Sequence, residues 1–490
     1  MTDIAKLIAD VPTQLFIGGQ WRASSSGKTF AVENPANGQE LVQLADASTE
    51  DGLAAITAAA NAQDSWAATA PRVRAELLRA AFDNVIARKE EFATLMTLEM
   101  GKALDEAIAE VNYAAEFLRW FSEQTNRITG SYQTAPDGKN RLLVLKRPVG
   151  PSLLITPWNF PLAMATRKIA PAIAAGCTMV VKPAALTPLS TMMFAKTLDD
   201  LGIPSGVLNI IPTSSAGAVT GPIIEDPRLR KLSFTGSTEV GVRLMEQSAK
   251  RVLRTSMELG GNAPLVVFDD ADLEQAVNGT MAAKFRNIGQ ACTAANRIYV
   301  QSGIYDQFVA KLAERIAGLK TGDGIANPAG VGPLVDAKAR KSVHELVESA
   351  VAGGAKVVVG GQVPEGAGYF YPPTLIEGAK ANSEITTSEI FGPVASITKF
   401  ETEDEGVRLA NSSEYGLVSY VFTKDLDRAM RMPERIEVGM MGINTGIISN
   451  PAAPFGGVKQ SGVGREGGTQ GIEEYLETVY VGISDPTATA

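Results

Sequence analysis

Histidine and cysteine are scarce in this sequence. Its 490 residues include a single histidine, His344, and two cysteines, Cys177 and Cys292. This set cannot supply four Cys or His ligands to a zinc ion, nor a site built on two or three histidines. Cys177 lies in an apolar run and is expected in the core, and the wide separation of the cysteines gives no disulfide framework. We therefore expect chemistry that uses neither histidine nor a bound metal.

Strong net charge and long apolar runs are also missing. The formal net charge is −9, acidic and basic residues are interspersed, and no basic tail is present. This pattern argues against a nucleic-acid partner. The longest apolar stretch, residues 169–181, is too short to span a bilayer, and the N-terminus lacks the features of a secretory signal. We expect a cytoplasmic protein that does not bind membranes.

The chain reads as an α/β protein of more than one domain. Residues 49–124 have a helical pattern, and residues 125–148 switch to alternating, turn-rich β character. Strand-like runs alternate with helical stretches from residue 149, and a second such series begins after the ELGGN segment at 258–262. Alternation of this kind predicts mostly parallel sheets. The segment from Gly462 onward is expected to form a tail or an arm.

A glycine motif near the C-terminus is a weak signal. Residues 462–467 match GxGxxG, but only 23 residues follow, too few to complete the βαβ unit that a dinucleotide-binding loop requires. We therefore do not assign the cofactor to this motif.

Cys292 is the candidate nucleophile. No acidic residue occurs between positions 275 and 305, whereas Lys284, Arg286 and Arg297 do. A positive setting favours the reactive thiolate, and the polar neighbours weaken the alternative of a buried structural cysteine.

Three further segments contain candidate groups. Apolar neighbours of Glu258 would raise its pKa and suit it to act as a general base, although an ordinary loop glutamate is the alternative. Asn159 follows a strand in a proline-flanked turn, where its amide can donate to an oxyanion or simply stabilise the turn. Gly236 and Ser237 lie between a strand and a helix, where backbone N–H groups can bind phosphate; an ordinary turn is the alternative.

Seven motifs occur in one order along nearly the whole chain: PWNFP, VVKPA, FTGSTEVG, MELGGN, GQACTAANR, EIFGPV and PFGGVKQSG. Together they resemble the NAD(P)-dependent aldehyde dehydrogenase superfamily, with the greatest similarity to succinate-semialdehyde dehydrogenases. The resemblance implies an aldehyde dehydrogenase-like fold with two Rossmann-like parallel α/β domains and a small β oligomerisation element. The cofactor-binding domain would comprise 1–124 and 149–260, the catalytic domain 261–461, and the oligomerisation arm and tail 125–148 and 462–490. A homodimer or homotetramer is expected.

The resemblance also implies a set of site residues. Cys292 would be the nucleophile, Glu258 the general base and Asn159 the oxyanion donor. Substrate contacts are expected from Arg167, Arg286 and Ser449. Cofactor contacts are expected from Trp158, Lys182, Ala184, Ala185, Gly236, Ser237, Leu259, Glu389 and Phe391.

The implied reaction is oxidation of succinate semialdehyde to succinate. An arginine suits the distant carboxylate of this substrate because it forms a bidentate pair, although either arginine could instead form a structural ion pair. The alternatives are another ω-carboxy aldehyde such as glutarate semialdehyde, a broader range of aldehydes, or a catalytically silent binding protein. Ala294 occupies a position where many relatives carry a second cysteine, so a disulfide between the nucleophile and that neighbour is impossible.

The cofactor preference is predicted from one position. NAD-preferring relatives typically carry a glutamate after the KPA segment, and Ala185 stands in that place here. No carboxylate at this position would repel a 2′-phosphate, and Lys182 could pair with it. We therefore expect NADP to be preferred and NAD to be usable.

Overall fold

The computed structural model describes residues 3–487 of the chain. The helices are α1 Ile4–Asp10, α2 Thr49–Ala67, α3 Pro71–Ala87, α4 Lys89–Met100, α5 Leu104–Thr125, α6 Pro161–Ala175, α7 Leu189–Asp200, α8 Ala216–Glu225, α9 Thr238–Ala249, α10 Leu273–Phe285, α11 Tyr305–Ala317, α12 Ala337–Ala352, α13 Glu384–Thr387, α14 Glu403–Asn411, α15 Leu426–Arg435 and α16 Gln470–Glu473. The strands are β1 Leu15–Ile17, β2 Gln20–Arg22, β3 Thr29–Asn34, β4 Gln39–Ala45, β5 Ser131–Thr134, β6 Asn140–Pro148, β7 Ser152–Ile155, β8 Met179–Lys182, β9 Leu208–Ile210, β10 Lys231–Thr235, β11 Arg254–Glu258, β12 Ala263–Val267, β13 Ala295–Gln301, β14 Lys356–Val359, β15 Thr374–Glu377, β16 Val394–Phe400, β17 Tyr415–Gly416, β18 Val418–Phe422, β19 Met440–Ile443, β20 Val458–Lys459, β21 Gly462–Val463 and β22 Leu476–Ser484.

The first large sheet has the strand order β2-β1-β9-β8-β7-β10-β11-β21. Its five central strands, β9 to β11 in this order, run parallel, and antiparallel strands close both edges. Strands β7, β8 and β9 are buried along their whole length, as expected for a parallel sheet covered by helices on both faces. The strand-like runs predicted from residue 149 onward all form strands here.

The second large sheet has the order β14-β15-β16-β13-β12-β18-β19. All of its neighbouring pairs are parallel except the edge pair β14 and β15. The chain passes from the first sheet to the second between Glu258 and Ala263, which is the ELGGN segment where the sequence pattern changes. The predicted α/β class with two parallel sheets is confirmed.

The predicted arm is only partly separate from the first sheet. Strands β22, β6 and β5 form a third, antiparallel sheet, in which β6 and β22 pair along nine residues. Residues 462–463, however, form β21, which pairs with Met257 and Glu258 at the edge of the first sheet. Within the segment predicted as arm and tail, the part that joins the third sheet starts at Leu476.

Helix α6 lies in the protein interior, next to the segment that contains Asn159. Every residue of Pro161–Ala175 is buried, and the helix packs against α3, α5 and α7. Its first turn follows the PWNFP segment, so Asn159 is held beside an immobile helix. Within residues 3–487, no helix is both long enough and apolar enough to cross a membrane.

The close pairing of β21 with β11 generates a stability prediction. Gly462 has φ +128°, and a Cβ there would collide with the Met257 carbonyl. We expect Gly462→Ala to lower the free energy of unfolding by more than about 3 kcal/mol, because strain and a backbone clash add. Gly138→Ala is the control, since Gly138 has φ +74° with no atom within 4 Å of a built Cβ. Equal denaturant midpoints for the two variants would contradict the prediction.

Candidate active site

A cavity of about 230 Å³ opens at the C-terminal ends of β7, β10 and β11, facing residues of the second large sheet's domain. This edge of a parallel sheet is a usual place for a ligand. The cavity brings together twelve of the fifteen predicted site residues: Trp158, Asn159, Arg167, Gly236, Ser237, Glu258, Leu259, Arg286, Cys292, Glu389, Phe391 and Ser449. The other three, Lys182, Ala184 and Ala185, lie at the end of β8 and in the following turn, outside the cavity lining.

Burial dominates the chemistry of Cys292. The pKa of its thiol is raised to about 12, chiefly by desolvation and then by the negative charge of Glu389, while Arg167 and Arg286 act in the opposite direction. The positive charge of Arg286 favours the thiolate, as the sequence predicts, but desolvation and Glu389 outweigh it. A base must take the proton before the sulfur can attack.

Two of the three cationic residues near Cys292 in sequence, Lys284 and Arg297, form hydrogen bonds with residues that do not line the cavity. The ammonium of Lys284 donates to the Asn296 side chain at 3.0 Å. The guanidinium of Arg297 donates to the backbone carbonyls of Asn262 and Leu409, each at 2.9 Å. Of the three cationic residues near Cys292 in sequence, only Arg286 lines the cavity.

The turn before Cys292 has an unusual backbone. Asn287, Ile288 and Gly289 have φ values of 55°, 61° and 70°, and a β-branched residue in this region is strained. The Asn287 N–H donates to Glu106 at 2.7 Å, and the Gln290 N–H donates to the Asn287 carbonyl at 2.9 Å. These contacts fix the segment that leads to the nucleophile.

Glu258 has the environment of a general base. It ends β11, is 3% exposed, and its Oε2 atom has no hydrogen-bond partner among residues 3–487. Burial and the negative charge of Glu466 raise its pKa well above the ordinary value, whereas Arg167 and Lys168 lower it. The direction is the one that its apolar sequence neighbours predict, but Glu466 was not foreseen.

Both the side-chain amide and the backbone carbonyl of Asn159 form hydrogen bonds. Its Nδ2 atom donates to the Gln290 carbonyl at 3.0 Å, two residues before Cys292. Its own backbone carbonyl accepts from Lys102 Nζ at 2.9 Å and from Asn287 Nδ2 at 3.0 Å. A side-chain amide has two N–H groups, so one remains to donate into the cavity.

The two predicted substrate arginines differ in charge balance. Arg167, on α6, pairs with Glu466 at 2.8 Å and lies 4.0 Å from the centroid of the Phe455 ring. Arg286 also lines the cavity, but no carboxylate oxygen of residues 3–487 lies within 4.0 Å of its guanidinium nitrogens. The positive charge of Arg286 is therefore free to pair with a ligand, whereas that of Arg167 is largely compensated.

Several residues of the cavity wall were missed. Tyr113, on α5, lines the cavity with Ser449; burial raises the pKa of its hydroxyl, and the neighbouring Ser449 hydroxyl acts in the opposite direction. Phe160 and Phe455 add aromatic surface. In sequence, Tyr113 is one apolar-face position of a long helix, and nothing distinguishes it there from a core aromatic residue. Glu466 lies inside the discounted glycine motif.

The cofactor end of the cavity has the features of a dinucleotide cradle. A Cβ at Gly236 would collide with the Phe234 ring, so a larger residue there would require the ring to move. Ser237 caps α9, which leaves the first N–H groups of that helix available to a phosphate. Trp158 and Phe391 meet edge to face, with ring centroids 5.3 Å apart. These residues fit the bound group that the motifs imply.

Two ionisable residues flank this cradle. Lys182 is almost fully buried, and desolvation lowers its pKa to about 8 with no neighbouring charge to oppose it. Glu389 accepts from the Gly261 N–H at 3.3 Å, and burial raises its pKa to about 8. Among residues 3–487, no group of three or more His, Cys, Asp or Glu side chains is arranged to hold a metal ion.

Comparison with known proteins identifies the family. The chain matches the aldehyde dehydrogenase family over residues 21–481. It is 60% identical to a succinate-semialdehyde dehydrogenase of Paenarthrobacter nicotinovorans, over 91% of this chain and 99% of that protein. It is 48% identical to the succinate-semialdehyde dehydrogenase [NADP(+)] GabD of Escherichia coli (strain K12), over 96% and 97% of the two chains. A glutarate-semialdehyde dehydrogenase of Pseudomonas putida (strain KT2440) is 47% identical, over 96% and 98%.

The fold agrees with this relationship. The crystal structure of an NADP-dependent enzyme of E. coli superposes with a TM-score of 0.96 at 46% identity and covers 99% of this chain and 100% of its own. The chain belongs to the aldehyde dehydrogenase family and is an NAD(P)-dependent aldehyde dehydrogenase, as its motifs predict.

The raised thiol pKa gives a prediction for the protein without cofactor. A thiol with a pKa of about 12 is mostly protonated at neutral pH, and its thiolate fraction rises about tenfold per pH unit below that value. We expect the rate of Cys292 alkylation by iodoacetamide to rise steadily from pH 7 to pH 10. Peptide mass spectrometry measures it and separates Cys292 from buried Cys177. A rate that levels off near pH 8 would show that the thiol is already activated.

Proposed function

We propose that this enzyme oxidises succinate semialdehyde to succinate, with NADP as the preferred cofactor. The substrate assignment depends on one observation: Arg286, whose guanidinium forms no ion pair among residues 3–487, lines the same cavity as Cys292. Arg286 can bind the distant carboxylate of the substrate bidentately while the aldehyde lies at the sulfur. The neighbouring hydroxyls of Ser449 and Tyr113 line the same cavity and can supply further donors.

The first chemical step is attack by Cys292. Glu258 is suited to take the thiol proton, because its own pKa is raised and a carboxylate oxygen is free. Sulfur then bonds to the aldehyde carbon, and the oxygen becomes an oxyanion. The remaining N–H of Asn159 and the backbone N–H of Cys292 donate to that oxygen.

The second step releases the product. A bound NADP⁺ would supply the hydride acceptor, and loss of hydride from the carbon would leave a thioester on Cys292. Once Glu258 has returned the first proton to solvent, its carboxylate removes a proton from water; the hydroxide attacks the thioester carbon, the C–S bond breaks, and succinate and the Cys292 thiolate are released. Burial and the charge of Glu466 raise the pKa of Glu258, which makes its carboxylate a stronger base for both proton transfers.

Cofactor binding is assigned to residues at the ends of four strands, β7, β8, β10 and β11, and to the segment before β16. Gly236 and Ser237 would hold the pyrophosphate, Trp158 and Leu259 would flank the cofactor, and Glu389 with Phe391 would contact the nicotinamide ribose. Lys182 and the turn with Ala184 and Ala185 would bind the adenosine ribose. The uncompensated charge of Lys182 supports pairing with a 2′-phosphate, as does the NADP(+) in the printed name of the E. coli relative.

Glutarate semialdehyde is the second candidate substrate, because one relative of similar identity carries that name. It differs from the first by one methylene, so both place a carboxylate toward Arg286. The proposal includes a cytoplasmic homodimer or homotetramer. The exposed edge strand β5 supports assembly, because its unpaired backbone groups suit pairing with another chain.

A product assay tests the function directly. The purified enzyme is given NADP and, separately, succinate semialdehyde, glutarate semialdehyde and butanal, with NADPH measured by absorbance and the acid by chromatography. We expect the highest kcat/KM for succinate semialdehyde and no turnover by Cys292→Ala. A preference for the five-carbon substrate would favour the second candidate, and a preference for butanal would exclude both.

Arg286 separates charge recognition from catalysis. A hydrogen bond to a charged group contributes about 1.5–3 kcal/mol, so Arg286→Ala is expected to raise KM for succinate semialdehyde by about tenfold or more. KM for butanal should change less than about twofold, since that substrate has no carboxylate. Arg286→Lys keeps the positive charge but loses the bidentate geometry of the guanidinium, so its KM for succinate semialdehyde should lie between those of the wild type and Arg286→Ala. Equal changes for both aldehydes would mean that Arg286 is structural.

Position 185 tests the cofactor assignment. Ala185→Glu places a carboxylate beside the expected 2′-phosphate, so we expect its NADP/NAD ratio of kcat/KM to fall by about tenfold or more. Ala185→Gln is the uncharged control of similar size and should change the ratio much less. If the wild-type enzyme uses NAD at least as efficiently as NADP at saturating aldehyde, the preference is wrong.

A further inference from the structure

A lysine outside the cavity lining makes a direct contact with the Asn159 backbone. Lys102 follows Gly101, the residue that ends α4, and its side chain is fully buried. Its ammonium pairs with Glu110, donates to the Asn159 carbonyl at 2.9 Å, and lies 4.2 Å from the centroid of the Phe160 ring. Lys102 does not border the cavity and so touches neither substrate nor cofactor there.

Glu110 extends this contact to helix α6. While one carboxylate oxygen binds Lys102, the other accepts from the N–H groups of Leu162 and Ala163, each at 3.1 Å. These are among the N–H groups of the first turn that have no partner within the helix. The Lys102–Glu110 pair therefore forms hydrogen bonds on both sides of Phe160: Lys102 donates to the Asn159 carbonyl, and Glu110 accepts from the first turn of α6.

The nucleophile segment holds Asn159 from the opposite side. Asn287 Nδ2 donates to the Asn159 carbonyl at 3.0 Å, and Asn159 Nδ2 donates to the Gln290 carbonyl at 3.0 Å. Lys102 and Asn287 thus share one acceptor, the backbone carbonyl of the proposed oxyanion donor. Loss of the ammonium would leave that carbonyl with one donor.

Stability alone gives no reason for a lysine here. Transfer of an ammonium from water to the interior is costly, and replacing a buried ion pair by apolar side chains of similar size is often neutral or stabilising. The pKa of Lys102 is lowered by this desolvation. A role in fixing geometry accounts for a charge that packing does not require.

We propose that Lys102 is a positioning residue, which sets the Asn159 amide at the distance and angle that oxyanion stabilisation requires. The inference rests on the proposed role of Asn159 as oxyanion donor. It requires that Lys102 act through Asn159 and through no other part of the site.

A double-mutant cycle on the complete enzyme tests this dependence. The readout is the single-turnover rate of NADPH formation at saturating succinate semialdehyde and NADP. We expect Asn159→Ala to lose about a hundredfold, as for other oxyanion donors, and Lys102→Met to lose about tenfold. Lys102→Met added to Asn159→Ala should cost less than about twofold more, because the group it positions is gone.

The controls separate positioning from general damage. Lys231→Met removes another fully buried lysine, which contacts Ser256 and Glu474 at the far end of β10, and it should leave the rate within about twofold. Lys102→Arg keeps a donor and should recover part of the loss. If Lys102→Met does not fold, Glu110→Gln replaces it in the cycle, since it releases the same ammonium.

The outcomes distinguish the two hypotheses. Multiplicative losses in the cycle, or a loss for Lys231→Met equal to that for Lys102→Met, would overturn the role of Lys102. An Asn159→Ala enzyme with an unchanged rate would instead overturn the role of Asn159 in the proposed function. Non-additive losses together with an unaffected Lys231→Met support the proposal.

Discussion

The groups around the cavity lie between the two large sheets and are largely removed from solvent, and this burial sets the direction in which their pKa values move. Desolvation raises the pKa of the Cys292 thiol and of the Glu258 and Glu389 carboxyls, and it lowers the pKa of Lys182. Each shift opposes the charged form. The Cys292 thiol is therefore mostly protonated at neutral pH and needs a base before it can attack. The same burial raises the proton affinity of the Glu258 carboxylate, which partly offsets the cost of deprotonating the thiol.

Because the cavity is poorly solvated, the buried ion pairs beside it strongly affect the pKa values of neighbouring groups. Glu466 lies opposite both Arg167 and Lys168, which keep its pKa low, and its negative charge in turn raises the pKa of Glu258. One buried carboxylate therefore neutralises the cations of α6 and tunes the base. Arg286 forms no ion pair among residues 3–487, although its charge interacts with that of Glu106, and in the proposed function a substrate carboxylate is its partner. The proposed specificity therefore depends on which cation lacks an ion-pair partner, more than on how many cations line the cavity.

Local sequence predicted the parts of this arrangement that depend on local forces. Apolar runs identified the strands of both sheets, and the motifs around Cys292, Glu258 and Asn159 identified residues that one cavity brings together. Contacts between distant segments were not accessible. Lys168 and Glu466 are 298 positions apart, and no periodicity links them. For the same reason the sequence did not show that Lys284 and Arg297 donate to other partners, or that residues 462–463 pair with the first sheet, since an edge strand of two residues has no detectable pattern.

The strained turn before the nucleophile connects these observations to substrate length. Three successive residues with positive φ cost free energy, about 1–3 kcal/mol for each one that is not glycine, and such strain persists only where the surroundings over-determine it. Here Glu106 and Asn159 hold the turn from the first domain, through the Asn287 N–H and its side chain. Arg286 lies at the start of this turn and Cys292 just beyond its end. With Arg286 as the proposed carboxylate anchor, this turn would set the spacing between the anchor and the sulfur, and aldehydes that differ by one methylene would be separated by their length, although both offer the same charge.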